Sequence, residues 1–167
     1  MCIACILRTE MEELTEQLDQ PPPTNITVCG DVNVDYKWLE ERTIAALCFL
    51  HKENAEVSVR VVNDEEMSQL HKKHSGVEGT TDVLTFDHEG DEQSLQADIA
   101  VCIDVAEREA SRRNHEVKNE LLLYIVHGIL HCCGFDDHDE ASHELMHAEE
   151  DKILSAIGIG SVWSSGK

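Results

Sequence analysis

Two pairs of histidines stand at a spacing that can do chemistry. In His127-Gly128-Ile129-Leu130-His131 the imidazoles are four residues apart. On a helix that places them on one face with Cβ atoms about 5–6 Å apart, so one metal ion can take a nitrogen from each. Gly134 then stops the helix, and the turn Phe135-Asp136-Asp137-His138 can fold a carboxylate or a third imidazole back toward the pair. Three protein ligands with an open fourth position describe a catalytic zinc site. The bland alternative is a pair of hydrogen-bonded core histidines, and the loop donors argue against it.

The second pair, His143-Glu144-Leu145-Met146-His147, matches the zinc-peptidase string H-E-x-x-H. Its setting argues for a solvated helix face, because Asp139, Glu140, Glu149, Glu150 and Asp151 surround it. No further histidine follows at the required spacing, and no carboxylate follows Asp151. The first pair carries Gly128 where a peptidase needs its glutamate base. A peptidase built on His143, Glu144 and His147 is the alternative reading.

His127-Gly-Ile-Leu-His131-Cys-Cys-Gly134-Phe135-Asp136-Asp137 resembles the H-G-x-L-H-x-x-G-Y-D-H signature of the YbeY family of bacterial rRNA maturation ribonucleases. Glu56-Val-Ser-Val, Gly79-Thr-Thr-Asp-Val-Leu-Thr-Phe86 and Ala97-Asp-Ile-Ala-Val-Cys102 are similar to its other segments, in the same order. The resemblance implies a single-strand-specific endoribonuclease with one zinc per chain. Its ligands are His127, His131 and Asp137, the residue in the family's register, with His138 one position later as the other candidate. It also implies maturation of the small-subunit rRNA 3′ end, ribosome quality control, and ribosomal proteins or an assembly GTPase as partners. A binding module of ribosome assembly that has lost catalysis is a further alternative.

The family's arginine after the second helix aligns with Ser75. Lys72 and Lys73, flanked by His71 and His74, are therefore the candidates for substrate binding, with Arg108, Arg112 and Arg113 as further sources of positive charge. Thr80, Thr81, Asp82 and Asp98 are expected to shape the site or to bond to the ligands from behind.

These residues need a frame. Strands are expected at Ile26–Cys29, Glu56–Val62, Val83–Phe86 and Asp98–Ile103, and helices at Val34–Leu50, from Asn63 or Asp64 to Leu70, Asp104–Arg113, Val117–Cys133 and Asp139–Ile157. The apolar stripe of the last helix is read as Leu145, Met146, Ile153, Leu154 and Ile157. The fold class is α+β: one domain, with a roughly four-stranded mixed sheet packed by helices around a central zinc-carrying helix. Residues 1–25 read as an N-terminal extension, 26–158 as the domain and 159–167 as a tail.

At 167 residues the chain fits one core. Its net charge of −21 opposes nucleic-acid binding, an objection that a bound dication partly answers. Seven cysteines, an odd number scattered through apolar segments, suit free thiols in a reducing compartment. The Cys2–Cys5 pair has no second pair at zinc-ribbon spacing. With no basic-led signal sequence and no long apolar run, the expectation is a cytoplasmic protein with no membrane span.

Overall fold

Strict alternation sets the sheet. In β2 (Asn54–Val62) Ala55, Val57, Val59 and Val61 are buried while Glu56, Ser58 and Arg60 face solvent. This is the period-two pattern of a strand with one covered face. The computed structural model describes residues 24–52, 54–88, 90 and 93–163. The N-terminal extension, apart from its last two residues, and the Cys2–Cys5 pair lie outside the described residues.

β1 (Asn25–Gly30), β2, β4 (Ser94–Cys102) and β3 (Val83–Asp87) form one sheet in the order β1-β2-β4-β3. The first three run parallel and β3 is antiparallel to β4, so the sheet is mixed. The parallel pair β1–β2 is joined across α1 (Tyr36–Phe49), whose start is capped by the Asp35 carboxylate accepting from the Trp38 N–H.

The inward residues of β2 and β4 meet α4 (Val117–Cys132), the centre of the main core. Leu121, Leu122, Ile125, Ile129 and Leu130 of α4 are fully buried. An apolar surface on nearly all sides is what a helix enclosed by its neighbours requires. α3 (Ile103–Arg113) and α5 (Glu140–Ala156) pack against α4. On the other face of the sheet α2 (Asp64–Ser75) closes a small cluster of Val62, Met67, Ala100 and Cys102.

Several expectations are corrected. α2 runs on to Ser75, where Gly76 adopts the left-handed conformation that ends a helix, so Lys72 and Lys73 lie on its last turn. β4 begins four residues early, at Ser94 instead of Asp98. Leu145 is 66% exposed and outside the apolar stripe, whereas Met146, Ile153 and Leu154 are fully buried. The segment from Ile159 to Trp163, expected as tail, turns back at Gly158 and Gly160, both with positive φ, and packs on the core. No described helix is long and apolar enough to cross a membrane.

Candidate metal centre and the cleft beside it

The turn after α4 decides what faces its two histidines. The Gly134 N–H bonds to the His131 carbonyl and the Phe135 N–H to the Leu130 carbonyl, with Gly134 at φ 89°. This is the Schellman arrangement, in which only a residue tolerant of positive φ can reverse the chain so tightly. The reversal brings the Asp137 carboxylate to 3.7 Å from His127 Nε2 and 3.9 Å from His131 Nε2. The two Nε2 atoms are themselves 2.9 Å apart. His138 does not join this group; its ring is 84% exposed and pairs with Asp136.

Both imidazoles are oriented from behind. His127 Nδ1 lies 2.6 Å from Glu150 Oε1 and His131 Nδ1 lies 3.1 Å from the Phe135 carbonyl oxygen. Carboxylate and carbonyl oxygens can only accept, so each ring donates from Nδ1 and turns Nε2 toward the other. Two bare nitrogens would repel at that separation, so the arrangement calls for a proton or a cation between them. Two imidazoles and one carboxylate match the donor set of catalytic zinc enzymes, so these residues fit that ion. Burial pulls the His127 imidazole toward its neutral form, but the hydrogen bond and charge of Glu150, with Asp82 and Asp137, outweigh it and hold its pKa above the ordinary value.

Glu150 is the functional residue that reading the sequence missed. Its acidic neighbours in sequence point to a solvated helix face, yet it is fully buried, and its second oxygen accepts from the Trp163 indole at 2.5 Å. Its position three residues before Ile153 on an otherwise apolar stripe was the available signal.

A cleft of about 560 Å³ opens beside the triad, walled by His127, Asp137, Thr80, Thr81, Asp82 and Arg113 among others. The threonine–aspartate loop therefore stands where it was expected. Thr81 Oγ1 and the Val83 N–H both donate to Asp82 Oδ1, which fixes that carboxylate. Asp98 is a correction: strand alternation sends Ala97 and Ile99 into the core and Asp98 to the opposite face, where it pairs with His88 at 2.8 Å. Lys72 and Lys73 do not line the cleft, and Lys72 pairs with Glu78. Arg108 and Arg113 do line it; Arg113 is held by the buried Glu120 at 2.8 Å and lies 4.1 Å over the Trp163 ring.

His143 and His147 also border this cleft, while Glu144 is exposed. His147 stacks on Trp163 with ring centroids 3.7 Å apart, and among the described residues no third donor joins the pair. Burial lowers the His147 pKa, with His143, His127 and Arg113 adding to the effect against Glu150. The geometry gives the H-E-x-x-H string no peptidase centre.

A family model described as Endoribonuclease YbeY matches residues 28–158. The chain belongs to the YbeY endoribonuclease family. A Methylococcus capsulatus relative named Endoribonuclease YbeY is 37% identical over 113 residues, 66% of this chain and 75% of its own. A Staphylococcus saprophyticus relative of the same name is 33% identical over 116 residues, 65% of this chain and 76% of its own. The solution structure of a Thermotoga maritima protein shares the fold, with a TM-score of 0.56 and 27% identity over 79% of this chain and 88% of that one. The YbeY match covers the His127–Asp137 triad and Glu150 but ends before Trp163.

Proposed function

We propose that this chain is a zinc-dependent endoribonuclease that cleaves single-stranded RNA, with ribosomal RNA and the maturation of its small-subunit 3′ end as the physiological task, together with ribosome quality control. The observation that carries the reading is the convergence of His127, His131 and Asp137 beside an open cleft in a chain of the YbeY family.

His127 and His131 would hold the zinc through Nε2 and Asp137 through a carboxylate oxygen. When bound, the ion supplies Lewis acidity, making water a stronger acid and offsetting negative charge on a phosphodiester oxygen. Glu150 keeps the His127 proton on Nδ1, and the Phe135 carbonyl does the same for His131. Arg108 and Arg113 put positive charge on the cleft wall, where a phosphate backbone needs it in so acidic a protein. Lys72 and Lys73, exposed at the end of α2, are candidates for contacts with RNA outside the cleft. Ribosomal proteins or an assembly GTPase are the partners, in the cytoplasm.

The test is to measure zinc per chain and cleavage of a single-stranded RNA oligonucleotide for the wild type and for His131→Ala, Asp137→Ala, His138→Ala and His147→Ala. One zinc, lost with cleavage in the first two variants and kept in the last two, is expected. Zinc lost only in His147→Ala would overturn the reading in favour of the peptidase string, and zinc without RNA cleavage would leave a binding module.

A further inference from the structure

We propose that Trp163, which lies beyond the stretch shared with the family, is a positioning residue for His127 and acts through Glu150. The proposal rests on the reading of His127 as a metal ligand. Glu150 is fully buried, and a carboxylate taken out of water needs a hydrogen-bond donor for each oxygen. One oxygen has His127 Nδ1 and the other has Trp163 Nε1. Without the indole, Oε2 loses the hydrogen bond that anchors it, and the carboxylate is free to rotate. That rotation loosens its hold on the tautomer and ring orientation of His127.

The segment that delivers Trp163 is built for the purpose. Gly158 and Gly160, with φ of 84° and 93°, reverse the chain after α5. Asp151, next to Glu150, then grips the returning segment: its Oδ1 accepts from the backbone N–H groups of Val162 and Trp163 at 2.8 and 3.1 Å, and its Oδ2 accepts from the Ser161 hydroxyl at 2.5 Å. Adjacent carboxylates on one helix thus divide the work, Asp151 fixing the backbone of residues 161–163 and Glu150 taking the indole. Val162 is buried behind them, and the Trp163 ring is held between contacts to Arg113 and His147. The returning segment thus donates four hydrogen bonds to two adjacent carboxylates of the helix.

The variant to make is Trp163→Phe in the full chain, which keeps an aromatic ring against Arg113 and His147 and removes the donor. Trp38→Phe, the chain's other tryptophan, is the control. Two quantities are read: zinc affinity by chelator competition, and the protonation site of the His127 ring by nitrogen NMR of the metal-free protein, with His127 assigned from the signal lost in His127→Gln. In Trp163→Phe zinc affinity should fall by about ten-fold or more, the usual effect of removing a group behind a ligand. The proton on His127 should redistribute from Nδ1 toward Nε2, while Trp38→Phe changes neither. Unchanged affinity, or a fall in affinity with the His127 proton still on Nδ1, would overturn the proposal. Should Trp163→Phe fail to fold, Glu150→Gln decides the matter: the Trp163 indole N–H resonance must move, and an unmoved one overturns the relay. A wild type that binds no zinc while its His127 proton still responds to Trp163→Phe would end the metal reading and leave the positioning role intact.

Discussion

Gly128 faces Thr85 across the seam between α4 and β3 so closely that a Cβ on residue 128 would sit 2.7 Å from the Thr85 hydroxyl oxygen and 3.3 Å from Ile99 Cδ1. The missing side chain lets the helix that carries His127 and His131 lie directly on the sheet. The same contact explains why this site has glycine where a zinc peptidase has its glutamate: the position points into the sheet, away from the cleft.

Gly128→Ala should therefore destabilise the protein by about 1–3 kcal/mol, the range for overpacking a core. Adding Thr85→Ala should recover part of that loss, because the nearest obstructing atom is gone. Thermal melting of the two single variants and the double variant checks this. An additive double variant would contradict the close approach.

Zinc affinity should depend on pH through His127. A protonated imidazole cannot ligate, and despite its burial Glu150 and the nearby aspartates hold this one above its ordinary value of 6.5. Affinity should keep rising as pH is raised past that value. In Glu150→Gln the rise should move to lower pH. In the metal-free protein the sign is reversed: the proton's stabilising contribution is complete below 6.5 and is lost as pH rises through the elevated value. Chelator competition and melting from pH 5 to 9 read the two effects separately.

The Arg108 guanidinium, 2.7 Å from the Asp64 carboxylate, holds its pKa down at about 2 against an ordinary 3.8. The contribution to stability is present above 3.8 and is lost as pH falls toward 2. Both groups are about half exposed, so the effect is small. Arg108→Gln should melt lower than the wild type at pH 5 and converge with it near pH 2.

Cysteine reactivity should divide by burial. Burial and the charge of Asp87 push the Cys132 thiol up to about 12, and burial raises Cys133 as well, whereas Cys29 and Cys48 are exposed. Thiolate is the reactive form. Iodoacetamide at pH 8 should label Cys29 and Cys48 before Cys132 and Cys133, as read by peptide mass spectrometry, and early labelling of Cys132 would show that α4 opens at its end.

Features set by near neighbours along the chain are legible in the order of residues. The four-residue spacing of His127 and His131, the stop at Gly134, the alternation of Val57, Val59 and Val61, and the cap at Asn63 are each set within one turn or one strand. Period and backbone freedom suffice to predict them. The side on which Asp98 lies was legible in the same way, since Ala97 and Ile99 beside it are apolar, but its chemistry drew it toward the site. The family signature fixed the register of Asp137 but not its competition with His138. Only the reversed turn puts the Asp137 side chain beside the histidines and leaves the His138 ring exposed. The contacts of Glu150 with His127 and Trp163 emerge only from long-range packing. Glu150 is 23 residues from His127 and sits among acids that do face water, so no local pattern marks it as buried. Its burial follows from the docking of α5 against α4, and its second hydrogen bond follows from the chain turning back beyond the last helix. Those contacts depend on long-range packing, where hydrogen-bond demand inside the core, not spacing along the chain, selects the partners.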